Sequence, residues 1–321
     1  MINGELIDLV AGDYEARIAT SGATLVHLRR AGSDLVIPFD AEASLPEGWQ
    51  GKTLVPWPNR IVGARYAYRG QEYPVPCNEP ETGSALHGLV GWADFQVVAT
   101  SAGDDAVGDA PSSVALELTL PGSYAYPWSL QVDVRFALDA RAGLTVAATT
   151  TCLGAGAPAA PDAVGAPESD GLLAPAPYGV SFHPYLTRSV PLDECVLQVP
   201  AARVLDVDER MAPAAERDVA GTDWDWRAGR PVGTISTDNA YTGLPQGPWE
   251  VRLTGGEAGR TVVMSAEAPW VQVYTAEHLG RRGVAVEPMT CPPDAFNSGR
   301  DLVELEVGRS HSFSYSLRED D

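Results

Sequence analysis

Apolar and polar residues alternate with a period of two along most of this chain, the spacing of strands that bury one face. Residues 14–18 read Tyr-Glu-Ala-Arg-Ile, and short extended runs follow at 24–28 and 35–38. Residues 65–73, Arg-Tyr-Ala-Tyr-Arg-Gly-Gln-Glu-Tyr, predict a hairpin turning at Arg69-Gly70. The strictest alternation lies at 113–120, 129–138 and 144–151, for example Leu-Gln-Val-Asp-Val-Arg-Phe-Ala-Leu over 130–138. No segment carries the apolar stripe of a helix. Two stretches fall outside the pattern. Residues 101–112 are rich in Gly, Ala and Asp, and residues 154–177 are an Ala/Pro/Gly tract that cannot supply a core strand. The second reads as a mobile surface loop inserted into the fold. Strand patterns of one kind lie on both sides of it, so residues 1–321 read as a single all-β domain.

Composition sharpens this picture. The 32 glycines and 26 prolines suit many short strands joined by turns. A formal net charge of −21 repels nucleic acid and anionic membranes, and excludes both as expected partners. The first residues, Met-Ile-Asn-Gly-Glu-Leu-Ile-Asp-Leu-Val, show no signal peptide, and no apolar run reaches membrane-spanning length. The expected location is cytoplasmic, as a monomer or a homodimer. Cys77, Cys152, Cys195 and Cys291 form no C-x-x-C pair and have no His at zinc-ligand spacing. They read as reduced thiols, with no metal and no cofactor implied.

Groups that do chemistry collect in five places. These are Pro56-Trp57-Pro58-Asn59-Arg60-Ile61, Ser84-Ala85-Leu86-His87-Gly88-Leu89-Val90-Gly91, Tyr178 through Leu186 with its His183-Pro184-Tyr185, and Asp238-Asn239-Ala240-Tyr241. The last joins Val271-Gln272-Val273-Tyr274-Thr275 to Ala285-Val286-Glu287-Pro288 and Pro293-Asp294-Ala295-Phe296-Asn297. These segments, in this order over about residues 8–316, resemble the aldose 1-epimerase (galactose mutarotase) family. The tract 154–177 has no counterpart in that resemblance.

The resemblance implies a twisted antiparallel β-super-sandwich with an open cleft, and a mutarotase that needs no cofactor. It implies His183 as general acid, Glu287 as general base and His87 as a second histidine near the ring oxygen. It further implies Arg60 and Asp238 as ligands of sugar hydroxyls, with Asn59 and Gln272 as supporting polar positions. Mutarotation opens a hemiacetal and recloses it. A carboxylate and an imidazolium on opposite sides of the sugar supply the required proton removal at the C1 hydroxyl and proton delivery at the ring oxygen. Arg60 is expected to offer a fork of hydrogen bonds to hydroxyls, and Trp57, Tyr185 and Trp270 to cover an apolar sugar face.

The plainer readings are these. His27, His278 and His311 have no motif around them and read as satisfied polar residues. Asp223, Trp224, Asp225 and Trp226 read as a packed surface loop. Asp238 opens a turn-like Asp-Asn pair, and Arg60 on the plainer reading is a member of a structural ion pair. Glu287 lies in the apolar run Gly-Val-Ala-Val-Glu-Pro-Met, where an unpartnered carboxylate is costly, which favours a site role. Three other functions compete. A hexose-6-phosphate 1-epimerase would need cations facing the cleft, with Arg188, Arg281 and Arg282 as candidates. A glycosidase would pair Asp238 with Glu287 and leave both histidines without a role. A non-catalytic carbohydrate-binding module would have kept the fold alone.

Overall fold

The computed structural model describes residues 2–103, 110–155, 174–256 and 259–320. Among the described residues every pairing between strands is antiparallel, and the one α-helix is a single turn, Ala295–Ser298. A nine-stranded sheet runs in the order Gln96–Ser101, Ser113–Leu120, Trp128–Asp139, Gly143–Ala155, Ser310–Asp320, Thr261–Ala266, Trp249–Thr254, Val196–Gln198 and Arg230–Pro231. An eight-stranded sheet runs in the order Pro213–Asp218, Arg203–Val207, Asp238–Thr242, Trp270–Tyr274, Gly283–Met289, Ser181–Phe182 and Thr53–Leu54. Its eighth strand, Tyr185–Thr187, also pairs with Gly283–Met289. A four-stranded meander holds residues Leu6–Ala11, Tyr14–Ala19, Thr24–Arg30 and Ser33–Asp34.

The two large sheets close on each other through side chains of alternate residues. Along Trp128–Asp139, Leu130, Val132, Val134, Phe136 and Leu138 are buried while their neighbours face outward. Across the interface, the Phe182 ring lies 6.1 Å from Phe313 and 5.0 Å from Tyr315. This is the packing of a sandwich, in which one face of each sheet supplies the core.

The eight-stranded sheet differs because its second face is also covered. Strand Gly283–Met289 is buried along its whole length. Val284 and Val286 belong to the main core, whereas Ala285 and Met289 join small apolar clusters on the other side. Residues at i, i+2 and i+4 share a face, so Glu287 lies with Ala285 and Met289, away from the core. The same rule sends Val271 and Val273 inward and Gln272 outward, Tyr241 inward and Asp238 outward, and Phe182 inward and His183 outward. One register therefore carries core residues on one face and polar groups on the other.

The alternation predicted the strands at 14–18, 24–28, 113–120, 129–138 and 144–151, and the hairpin Arg65–Tyr68 with Gln71–Pro74. Residues 35–38 are corrected: they form only the single bridge Val36↔Leu186, although Ile37 N–H donates to the Tyr185 carbonyl at 2.8 Å. The tract 154–177 is shorter than read from the sequence. Gly154 and Ala155 end one strand, Ala176 and Pro177 begin another, and residues 156–173 lie outside the described residues, as do 104–109 of the other stretch. Among the described residues no helix is long and apolar enough to cross a membrane. The residues around Trp224 and Trp226 form a packed loop, with Trp226 buried and its Nε1 donating to the Tyr241 hydroxyl.

Candidate active site

Three neighbouring strands set the floor of a cleft of about 370 Å3. The register places Gln272 opposite both Ala240 and Glu287, and Asp238 opposite Tyr274. Gln272 and Asp238 are thus diagonal neighbours on one face, within side-chain reach. Gln272 Nε2 donates to Asp238 Oδ1 at 2.6 Å. His183 comes from the far side of Gly283–Met289, and its Nε2 lies 3.3 Å from Glu287 Oε1. Both side chains are almost completely buried.

The wall opposite is built by the two-residue ladder Arg60–Ile61 with Ala85–Leu86. Asn59 and His87 flank it, and both have left-handed backbones, with φ of 51° and 61°. Asn and His are among the non-glycine residues that enter this region most readily, at a cost the surrounding structure must offset. Here His87 N–H donates to the Asn59 carbonyl at 2.8 Å, and Asn59 N–H donates to His87 Nδ1 at 3.2 Å. Gly88 follows with φ of 74°, and a Cβ there would fall 2.2 Å from the Val55 carbonyl oxygen, so only glycine fits. Behind this wall, Asp294 N–H donates to the Arg60 carbonyl at 2.8 Å, and Asp294 Oδ1 accepts from Val62 N–H at 2.9 Å. The Pro-Asp-Ala-x-Asn segment is therefore a buttress for the ladder, not part of the cleft lining.

Arg60 corrects an expectation. Its Nε and Nη2 donate to Glu79 Oε2 and Oε1 at 2.7 and 2.8 Å, so the fork predicted for sugar hydroxyls is held by a carboxylate. The Nη1 edge remains, lying 3.4 Å from Asn59 Oδ1.

Burial governs the protonation of the floor. It pushes Glu287 well above the usual carboxylate range, helped by the negative charge of Asp238 and opposed by Arg60. It pulls His183 down to about 3. His87 is held well below the usual imidazole value by burial, then by His183 and Arg60. Asp238 is raised by burial, with Arg60 and Gln272 opposing. The His183–Glu287 pair is thus favoured as imidazole plus carboxylic acid. One proton on the contact between them converts it to imidazolium plus carboxylate.

His87, His183 and Glu287 bring possible ligand atoms within 4.8 Å of one another, the donor set of a 2-His-1-carboxylate metal centre. The hydrogen bonding does not suit a metal. A ligating histidine donates through its other ring nitrogen. His87 Nδ1 instead accepts the Asn59 N–H, which leaves the imidazole proton on Nε2. Ligation through either nitrogen would break that bond, whereas a hydrogen bond donated from Nε2 would keep it.

All seven predicted residues gather here. Arg60, His87, Asp238, Asn59, His183 and Glu287 line the cleft, and Gln272 stands behind Asp238. Of the three predicted aromatic covers, only Tyr185 is in place, stacked on His183 with centroids 4.9 Å apart. Trp57 and Trp270 are buried elsewhere, with their Nε1 groups on the Ala85 carbonyl and on Asp301. Trp49 is an aromatic wall instead, with its ring 5.1 Å from His87. His278 is corrected as well. It lines the cleft, stacked on Tyr274, whose hydroxyl lies 2.9 Å from its Nδ1. Gly48 makes room for it, because a Cβ at that position, where φ is 57°, would fall 2.1 Å from His278 Nε2. Tyr274 had a sequence signal, since it follows Gln272 by two residues on one strand. Glu79, Trp49 and His278 had none, because they reach the cleft from turns.

The chain is thus an all-β sandwich that carries a buried histidine–glutamate pair and further polar groups on the cleft face of one sheet. The chain belongs to the aldose 1-epimerase family, whose model matches residues 5–159 and 167–318. It is 38% identical over 316 residues to YihR of Escherichia coli K12, described as an uncharacterized protein, covering 98% of this chain and 93% of that one. Among solved structures it is similar to the GalM/aldose epimerase homologue of C. elegans, with a TM-score of 0.79, 21% identity and 98% of each chain covered. It is also similar to galactose 1-epimerase of Lactobacillus acidophilus, with a TM-score of 0.78, 16% identity, and 96% of this chain and 92% of that one covered. At those identities the two structures speak for the fold alone.

Proposed function

We propose that this protein interconverts the α and β anomers of an uncharged, free aldohexose by acid–base ring opening. The observation that carries this reading is the buried His183–Glu287 pair, at 3.3 Å on the cleft face of the sheet. Glu287 takes the proton of the C1 hydroxyl while His183 delivers one to the ring oxygen. The hemiacetal C1–O5 bond breaks, the open aldehyde turns about C1–C2, and the same two groups reclose it with their roles reversed. His87 donates from Nε2 toward the ring oxygen. Asp238 accepts from hydroxyls and the Nη1 edge of Arg60 donates to them, while Asn59 and Gln272 hold His87 and Asp238 in place. Glu287 Oε2, His183 Nδ1 and Gln272 Oε1 are buried without a protein partner among the described residues, which favours a polar ligand at this floor.

The phosphorylated alternative lacks cations. Arg60 is the sole Lys or Arg among the described cleft residues. Arg188 pairs with Glu319 at 2.8 Å, Arg281 with Asp193 at 2.7 Å, and Arg282 donates to the Leu279 carbonyl at 3.2 Å. Polarimetry of freshly dissolved α-anomers over a panel of aldoses and their 6-phosphates tests the reading. Acceleration with free hexoses is expected. Preference for a 6-phosphate, or no acceleration with any sugar, would overturn it.

A further inference from the structure

The loop from Glu79 to Ser84 is built to hold one carboxylate. Glu79 and Ser84 form a backbone bridge, and Gly83 N–H also donates to the Glu79 carbonyl, at 2.9 Å. Asn78, the preceding residue, clamps this turn to the strand that pairs with Arg60. Its Oδ1 accepts from Leu86 N–H at 2.6 Å, and its Nδ2 donates to the Leu86 carbonyl at 2.9 Å. From this anchored turn the Glu79 carboxylate meets Arg60 with both oxygens and takes a further hydrogen bond from the Thr82 hydroxyl. Arg210, from a distant hairpin, grips the loop from outside through the Thr82 carbonyl at 2.8 Å. Glu79 itself lines the cleft.

Two consequences follow from charge and geometry. A guanidinium matches a carboxylate by presenting two parallel N–H groups; Glu79 occupies the Nε/Nη2 pair of Arg60, and the Nη1 end that remains already leans on Asn59 Oδ1. The cleft also gathers Glu79, Asp238 and Glu287 around a single arginine. A sugar carrying a carboxylate or phosphate would find the fork blocked and acidic groups facing it. An uncharged hydroxyl needs only the remaining Nη1 edge. We infer that Glu79 is a specificity-determining residue that restricts the cleft to uncharged aldoses by occupying the fork of Arg60, and thereby also positions Arg60 for hydroxyls.

This inference rests on the proposed sugar-binding function and deepens it. Its test is Glu79→Gln in the full chain, with D-glucuronate and D-glucose as probes. Binding is read by saturation-transfer NMR and turnover by anomer-exchange NMR. Gln keeps the length and an acceptor for Thr82, but removes the charge and one oxygen of the bidentate contact. The ratio of glucuronate to glucose affinity should rise about tenfold or more, the worth of one charge-assisted pairing. For glucose, KM should rise several-fold while kcat stays nearly constant, since the acid–base pair is untouched. Glu79→Asp, which keeps the charge on a shorter arm, should fall between the two and covers the case in which Gln does not fold. If a folded variant keeps the wild-type ratio while glucose turnover persists, Glu79 is structural and the inference fails alone. If the wild-type protein binds neither sugar, the proposed function fails and the inference falls with it.

Discussion

Glu287 carries the clearest single-residue expectation. Glu287→Gln keeps the size and one acceptor at the floor of the cleft but cannot take a proton. It should fold and bind sugar, and lose about two to four decades of rate in NMR anomer exchange. Wild-type rates in that variant would make Glu287 structural and leave Asp238 as the next candidate base. The pH profile follows from the direction of the shifts. The active His183–Glu287 pair holds one mobile proton between its two members. A second proton disables it at low pH, and loss of the last disables it at high pH. Burial pulls His183 down to about 3 and pushes Glu287 up. The profile of kcat/KM should therefore be a broad plateau whose acid limb lies below the ordinary imidazole value. An acid limb at that value would mean that His183 titrates as an exposed histidine. At this scale the chain was legible where chemistry sits inside a strand pattern. His183 and Glu287 interrupt apolar runs, and burial makes such interruptions expensive unless they have a use. The Arg60–Glu79 contact joins residues 19 apart through a turn that reads as ordinary Asn-Glu-Pro-Glu, and no local pattern marks it.

Strand Gly283–Met289 is the element on which the site depends. It is hydrogen-bonded to Trp270–Tyr274 on one edge, and to Ser181–Phe182 and Tyr185–Thr187 on the other. A one-residue slip would turn Glu287 into the core and Val286 into the cleft. The fully buried Val286 is part of what fixes the register. Val286→Ala should lower stability by about 2 kcal/mol, from lost transfer and an unfilled cavity. A reduced urea midpoint with unchanged sugar affinity would show this. Altered affinity at unchanged stability would show that Val286 acts on the site instead. Long alternating strands were readable because their neighbours are also long and their inner faces uniformly apolar. Residues 35–38 also looked extended, but beyond the local Leu35 N–H to Leu28 carbonyl bond their one bridge reaches Leu186, 150 positions away. An extended run becomes a strand only when a partner lies alongside, and the run itself does not reveal that partner.

The whole molecule carries a formal charge of −21 and yet buries Lys52 completely. Its Nζ donates to the Ser21 carbonyl at 3.0 Å and sits 4.3 Å from the Trp92 ring centroid, with no carboxylate partner among the described residues. Burial pulls its pKa down from 10.5 to about 7. Between those values the unfolded chain binds a proton that the folded chain does not, so stability rises with pH across that window and the penalty is fully present below it. Lys52→Met should flatten this rise, which is on the order of 4 kcal/mol. Urea midpoints from pH 6 to 10 would measure it, and an unchanged slope would place the pH dependence elsewhere. The sandwich also divides labour in space. His183 and Glu287, the proposed proton-moving pair, stand on a sheet whose other face is the hydrophobic core, whereas Glu79, the proposed selector against charged sugars, stands on a six-residue turn, Glu79 to Ser84, tied down by its own hydrogen bonds. Mutation can reach the turn without disturbing the sheet. A lineage of such proteins is therefore free to change its diet of sugars by rewriting one loop while inheriting the reaction intact.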